Sequence, residues 1–391
     1  MTRALVRLAL VGAGLLVGAL LAEAILRVAA PQPTGASPAV PHPTLVARMA
    51  PGRSGTISVP GVYRYRYRHD AEGRRVVPAS ADTDAAGSVL VLGDSFAYGM
   101  GVDDDETVAH RLADRLTARG TPALVRNAAA IGKGPAYALR MLQTVGRAWR
   151  GDAVVYVFYP NDFANLRHEL YARLDGGRLV DPGGDAPTVR QRAQIANLPG
   201  AQWLGEHSHV AGLLRVAALA TFGTNGPGPE AIDLDTTGTP TPYHVEQTLP
   251  LAHAVFAALD STVQARGGRL VTLYAPSAAE VAAFRRSGQP SADEAAFDRV
   301  RRSIGFDGVT ATPALAASGA PISALYYPEI HWRANAHALA AGVVLDPVQA
   351  ALCERGLSRL GCQEAPEAVR STAARRAARP SGGPSRRTPA G

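Results

Sequence analysis

The sequence predicts an α/β fold built on a parallel sheet, and three observations carry that prediction. Val89–Leu92 is an all-apolar run, the pattern of a strand buried on both faces, and it breaks abruptly at Gly93-Asp94-Ser95. Asp152–Phe158 is a second such run, rich in valine, and it leads into Tyr159-Pro160-Asn161-Asp162. Between them Ala138, Met141, Leu142 and Val145 recur at i, i+3, i+4 and i+7, the stripe of a helix. Strand, helix and strand in alternation is the pattern of a parallel sheet.

The chain opens with Arg3 and Arg7 ahead of Leu8–Ala22, a stretch without charge that Ile25 and Leu26 extend. Residues 1–30 are therefore expected to be an uncleaved signal anchor, a single-pass helix in the inner or cytoplasmic membrane. The arginines place everything after Ala30 on the periplasmic or extracellular side. The alternatives are cleavage at Ala22-Glu23-Ala24, giving a secreted protein, and a buried N-terminal helix. Residues 31–60 are rich in Pro, Ser and Gly and read as a linker. In Val62–Arg68 tyrosine and arginine alternate, which sets three tyrosines on one face of a strand and three arginines on the other. That lead-in, within residues 31–84, is either an edge strand packed on the main domain or an aromatic, cationic surface for a glycan.

Residues 85–350 form the main domain. Val108, Leu112 and Leu116 predict a helix over Thr107–Arg119, Ala123–Val125 a short strand, and residues 135–148 the helix already described. An irregular insertion at about 164–248 holds short helices, including the apolar Val210–Leu219. Leu251, Val255, Leu259 and Val263 predict a helix over 249–266. Strands follow at Leu270–Tyr274 and Gly308–Ala311, then the segment Leu325–Trp332 and a helix from Asn335 through Val344. Residues 351–391 are expected to hold a loop closed by a Cys353–Cys362 disulfide, with two free thiols as the alternative, and then a disordered basic tail. No internal repeat is present.

At 391 residues and 47% hydrophobic content the chain is long enough for one large core or two ordinary ones. The net charge of +7 is almost all arginine, with Lys133 as the single lysine. No basic stripe interleaves with aromatic residues, so nucleic acid is not an expected partner. His337 lies six residues past His331 and shares no metal-binding helix face with it, and no metal or organic cofactor is called for.

Asp94 and Ser95, read alone, either cap a helix or expose a hydroxyl at the strand end where open α/β sheets bind ligands. The rest of the chain supplies the partners of an ester chemistry. Ser95 would be the nucleophile and His331 the proton carrier, with backbone N–H groups at Ser95 and Gly132 and the Asn161 amide as oxyanion donors. In this order the blocks Gly93-Asp94-Ser95, Asn127–Gly132, Asn161-Asp162 and Glu329-Ile330-His331-Trp332 resemble those of the SGNH hydrolases, the GDSL-type esterases. The resemblance covers roughly residues 85–348, apart from the insertion. It implies a flavodoxin-like three-layer α/β/α sandwich, a serine nucleophile at Ser95 and an oxyanion hole at Ser95, Gly132 and Asn161. The anchor and tyrosine-rich lead-in also resemble membrane-anchored bacterial members, some of which act on cell-surface polysaccharides. The sequence departs from the pattern at Glu329, where the family usually has aspartate two or three residues before the histidine; Glu329 is expected to complete the triad by holding the His331 imidazole in the right tautomer, the alternative being a surface residue without that role.

The activity implied is hydrolysis or transfer of an acyl ester, first an O-acetyl group on an acylated glycan and second a lipid or small ester. A non-catalytic polysaccharide-binding or scaffold subunit is the alternative from another class. The topology is directly testable. A reporter active only outside the cytoplasm, fused after Gly391, is expected to give signal, and a reporter active only inside is expected to be silent.

Overall fold

The computed structural model describes residues 2–80, 87–168, 171–182, 187–222 and 245–354. The basic tail and Cys362 lie outside the described residues, while Cys353 is disulfide-bonded. The apolar helix α1 (Thr2–Ala29) comes first. Where a linker was expected over 31–60, four short strands follow, β1 (Thr34–Gly35), β2 (Ala39–His42), β3 (Val46–Met49) and β4 (Ser54–Val59), and the expected lead-in strand is β5 (Tyr63–Arg68). Pro, Ser and Gly here are the turn residues of a small β-unit, whose Leu45, Ala47 and Ala50 are buried in the core. β1, β4 and β5 form one antiparallel sheet and β2–β3 a hairpin.

The main unit begins with β6 (Gly87–Gly93), α2 (Ser95–Tyr98), α3 (Val108–Ala118), β7 (Ala123–Asn127), α4 (Pro135–Gln143), β8 (Ala153–Phe158) and α5 (Asn161–His168). The insertion holds β9 (Arg173–Asp175), β10 (Arg178–Val180), α6 (Pro187–Ala196), α7 (Ala201–His207) and α8 (His209–Phe222). The chain then returns through α9 (Val245–Gln264), β11 (Arg269–Tyr274), α10 (Ala278–Ser287), α11 (Ala292–Ile304), β12 (Asp307–Thr310), α12 (Thr312–Ala317), α13 (Ile322–Leu325) and α14 (Ala334–Glu354).

Five strands pair in the order β12-β11-β8-β6-β7, every pair parallel. Helices cover both faces, α3 packing on α14 and α4 and α11 on α9, which makes a three-layer α/β/α sandwich. All six residues of the central strand β8 are buried, as its continuous apolar run requires. The four helices α10 to α13 had no sequence expectation, although start signals are present at the first two. Ser277 and Glu280 form a capping box at α10, and Ser291 caps α11 through the Glu294 N–H. α14 runs ten residues beyond the expected Val344, through Pro347, because Val344, Leu345, Val348, Ala351 and Leu352 on both sides of the proline are buried.

The tyrosine face of β5 is buried and its arginine face exposed. The tyrosines thus pack on the main domain, and the strand lies at the edge of its small sheet, paired with β4. A fully buried guanidinium clamps the two units together. Arg75 Nε meets Asp104 Oδ1 at 3.0 Å. Its terminal nitrogens donate to the carbonyls of Tyr98, at 2.9 Å, Val102, at 2.6 Å, and Gly99, at the end of α2 and in the loop after it. A fourth carbonyl, that of Arg66 on β5, accepts at 3.1 Å. The guanidinium also lies 4.8 Å from the centre of the Tyr98 ring. Beside it, buried His69 accepts from the Tyr98 hydroxyl at 3.0 Å and donates to the Ala50 carbonyl at 2.9 Å.

Removing one member of a buried, fully hydrogen-bonded ion pair costs about 3–5 kcal/mol. Arg75→Met is therefore expected to lower unfolding stability by about 3 kcal/mol, the lower end because Arg68 still pairs with Asp104. Equilibrium unfolding of wild type and variant in urea checks this, and a loss below about 1 kcal/mol would show the clamp to be dispensable.

Candidate active site

Gly93 ends β6 at φ +138°, and a Cβ there would meet the Val157 carbonyl oxygen at 2.6 Å and Ala97 Cβ at 2.8 Å. Only glycine fits this turn. Asp94 then caps α2, its Oδ1 accepting from the Phe96 N–H at 2.8 Å. Burial pushes the Asp94 carboxyl above its ordinary pKa, and the Phe96 N–H, His331 and Asn161 oppose that shift. Asp94 braces the turn, and Ser95 is delivered at the head of the helix.

β6 lies between β8 and β7 in the sheet, so Ser95 stands between the segments that follow those strands. On one side, Asn161 opens α5 just past β8. The turn before it is held by Asp162, which accepts from the Tyr159 N–H and the Tyr156 hydroxyl, each at 3.2 Å. On the other side, Gly132 sits past β7 at φ +65°, a conformation that favours glycine. Its N–H donates to no acceptor among the described residues. Asn127 holds that segment, donating to the Ala97 carbonyl of α2 at 2.9 Å and accepting from the Ala129 N–H at 3.1 Å. Neither Asn127 nor Asp162 had a role beyond its motif in the sequence. Their short amide and carboxylate groups at strand ends were the available signal.

His331 arrives from the far end of the chain. Its Nε2 is 2.8 Å from Ser95 Oγ, and its Nδ1 is 3.1 Å from Glu329 Oε1. A carboxylate only accepts, so Nδ1 carries the proton and Nε2 accepts from the serine hydroxyl. All three side chains are buried. The imidazole is also flanked by the Phe96 ring, 5.2 Å between centroids, and Phe96 in turn stacks on Tyr159 at 3.9 Å.

A tight turn sets Glu329 in place. The Tyr327 N–H donates to the His331 carbonyl at 2.8 Å, and the Ile330 N–H to the Tyr327 carbonyl at 3.2 Å. Ile330, the residue between Glu329 and His331, is forced to φ +132°, rare for a β-branched side chain. Such a residue costs about 1–3 kcal/mol and persists only where its surroundings over-determine it. The surroundings include the lead-in strand. The Tyr327 hydroxyl donates to the Gly101 carbonyl at 2.9 Å, and Tyr63 of β5 packs edge-on against the Tyr327 ring at 5.4 Å. Nothing local to Tyr63 marks it as a support of the site, since its partner Tyr327 is far along the chain.

Behind the site, Trp332 is fully buried and meets His337 of α14 edge-on, at 5.5 Å between ring centres. His337 is wholly buried, and burial first, then the nearby Arg75, His331 and Arg111, hold its pKa down to about 3. His69 is likewise lowered to about 4, chiefly by burial. His207 and His209, in the irregular insertion, lie in α7 and α8, with the His209 ring accepting from the Gln32 N–H at 2.8 Å.

No family model matches the chain, and no curated protein matches it. Among solved structures it is similar to TesA, at 16% identity and a TM-score of 0.37, over 68% of this chain and 99% of that one. It is similar to the psychrotrophic esterase EstA of a Pseudoalteromonas species at 13% identity and TM-score 0.35, over 67% and 97% of the two chains. It is also similar to CEX, a two-domain esterase active on acetylated mannans, at 13% identity and TM-score 0.35, over 68% of this chain and 51% of that one. Likenesses this remote carry no argument about the reaction.

The lowered histidines fix the direction of one pH effect. A buried neutral histidine with a depressed folded pKa stabilises the fold fully above its unfolded value. That stability drains away as pH falls from about 6.5 toward the folded value. For His337 the window runs down to about 3. Replacing it, as His337→Gln, is expected to flatten the loss of stability between pH 6 and pH 4 by about 1.4 kcal/mol per pH unit. Unfolding midpoints measured across that range check the slope, which is independent of any constant penalty the substitution brings.

Proposed function

We propose that this chain is a membrane-anchored serine esterase or acyltransferase of the SGNH type, acting outside the cytoplasm. The observation that carries the reading is the hydrogen-bonded line from Ser95 through His331 to Glu329, at 2.8 and 3.1 Å. The three groups are buried and meet beyond the carboxyl end of β6 in a parallel sheet, the place where open α/β folds bind their ligands.

In this reading Ser95 Oγ attacks the carbonyl carbon of an acyl ester while His331 Nε2 takes its proton. Glu329 stays ionised, keeps the proton of Nδ1 in place and stabilises the imidazolium that forms. The oxyanion is received by the N–H groups of Ser95 and Gly132 and the amide of Asn161, a reading supported by their positions just past three adjacent strands of the sheet. The imidazolium then protonates the departing alcohol, leaving an acyl-Ser95 ester. Water or an acceptor hydroxyl gives its proton to His331 and attacks that ester, and Ser95 regains a proton as the acyl group leaves. This chemistry asks for no metal or organic cofactor.

The extra methylene of glutamate over aspartate is compatible with the strained turn at Ile330, which brings Oε1 to the ring. The anchor reading is supported by α1, whose apolar window is wholly exposed. It is also supported by Glu23, which accepts from the Ser208 hydroxyl and from the His209 and Val210 N–H groups at the start of α8. Cleavage after Ala24 would strip α8 of that cap. An acyl ester on an envelope or extracellular glycan, foremost an O-acetyl group, is the substrate class that such a position favours. A lipid or small ester is second.

A fluorophosphonate probe is expected to label the wild-type chain and to fail on Ser95→Ala. Glu329→Gln is expected to lower kcat/KM on a small chromogenic ester at least about 10-fold, more than ~1.4 kcal/mol of barrier, with Glu329→Asp milder. Near-normal turnover in both variants beside an inactive His331→Ala would reduce the triad to a Ser95–His331 dyad. Absence of any turnover or labelling would leave a binding or scaffold module. Incubation with an acetylated glycan, scoring free acetate and acetylated acceptor together, separates hydrolysis from transfer.

A further inference from the structure

Apart from α1, the large hydrophobic side chains that stand exposed among the described residues are Val145 and six others. Those six are Ile195, Leu198, Trp203, Leu204, Leu213 and Leu214, all within one stretch of twenty residues at the end of α6, in α7 and in α8. Trp203 is 63% and Leu214 65% exposed, so these are not side chains half-covered by neighbours. Isolated exposed leucines are ordinary, but a cluster on one short segment marks a contact surface.

The same segment is the one tied to α1. The Glu23 carboxylate accepts three hydrogen bonds at the start of α8, from the Ser208 hydroxyl at 2.8 Å and the His209 and Val210 N–H groups at 2.8 and 3.0 Å. A carboxylate at free helix N–H groups also matches the dipole of that helix. Arg27 pairs with Glu23 at 2.8 Å and donates to the His207 carbonyl at 2.7 Å. The Gln32 N–H, just past α1, donates to His209. α7 and α8 are thus bolted to the last turns of α1.

Arg3 and Glu23 bracket about 30 Å of helix at 1.5 Å per residue, which equals a bilayer's hydrocarbon thickness of about 30 Å. Arg7 reaches back to the headgroups along its apolar stem. A span of that length puts Glu23 at the outer interface, and the α7–α8 junction goes with it. Resting on the anchor reading above, we infer that the end of α6, α7 and α8 form a platform whose exposed apolar side chains enter the interfacial layer of the same bilayer that α1 crosses. Trp203 suits this layer, since tryptophan collects at the boundary between headgroups and acyl chains. α8 passes the constraint inward. Arg215 donates to the carbonyls of Pro33 and Gly35 at 3.3 and 3.4 Å, where β1 begins, and β1 pairs with β4, the neighbour of β5. The platform therefore fixes the height and tilt of the site over the membrane, beyond the tether that α1 alone would provide.

The test uses the full chain reconstituted into vesicles of phosphatidylethanolamine and phosphatidylglycerol, with and without brominated acyl chains. Trp332 is fully buried and Trp149 is packed against the core, so Trp203 is the tryptophan within reach of lipid. Brominated lipid is expected to quench part of the wild-type emission, and Trp203→Phe is expected to remove most of that quenching while kcat on a soluble ester is unchanged. A Leu213→Glu, Leu214→Glu variant is expected to halve the quenching or more while still floating with the vesicles. Flotation with equal quenching in wild type and Trp203→Phe would overturn the platform and leave the anchor standing. It would also be the result if a second protein copy covered the face instead. A chain that does not float would overturn both through the anchor.

Discussion

The constraint on which the site depends is that three adjacent parallel strands end at the same edge of the sheet with β6 in the middle. Parallel strands need crossover connections, so each strand's carboxyl end meets a turn and the start of a helix. Ser95, Gly132 and Asn161 follow β6, β7 and β8 in this way. Their placement along one edge of the sheet needs no contact between their own side chains. It follows from strand order and from the tight turns that Asp94, Asn127 and Asp162 hold with buried hydrogen bonds.

What strand order does not supply is the histidine. His331 reaches Ser95 from 236 positions away, on a turn that has no strand of the main sheet beneath it. That turn is held from outside the sandwich. Tyr327 bonds to the loop after α2, Tyr63 of the β-unit packs on Tyr327, and Arg75 fastens the same loop through three carbonyls. The β-unit is thereby part of the support of the site. The strain at Ile330 is maintained because this surrounding structure is rigid.

Much of the main domain was legible. Strands β6, β8 and β11 are continuous apolar runs, and α3 and α9 show their stripes, because burial of a whole strand or one helix face leaves a local pattern. In the β-unit only β5 was legible, through its tyrosine–arginine alternation. The strands β1 to β4 are two to six residues long in a stretch rich in Pro, Ser and Gly, so composition alone resembles a linker. α14 extends past the expected Val344 because tertiary burial on both sides of Pro347 outweighs the helix-breaking effect of a proline.

The sequence by itself determined the α/β class and the order of the chemical blocks along the chain. These depend on neighbours in sequence: an apolar run, then a glycine, then a polar side chain at a strand end. Only the tertiary structure decided that Arg75 is a buried clamp and that Glu23 caps a helix 185 residues away, and only it puts the expected Glu329 carboxylate 3.1 Å from the His331 ring. A charged residue in a sequence carries no mark of its partner. Whether it is solvated, paired or capping a helix is set by which distant groups the fold brings within about 3 Å, the reach of a hydrogen bond.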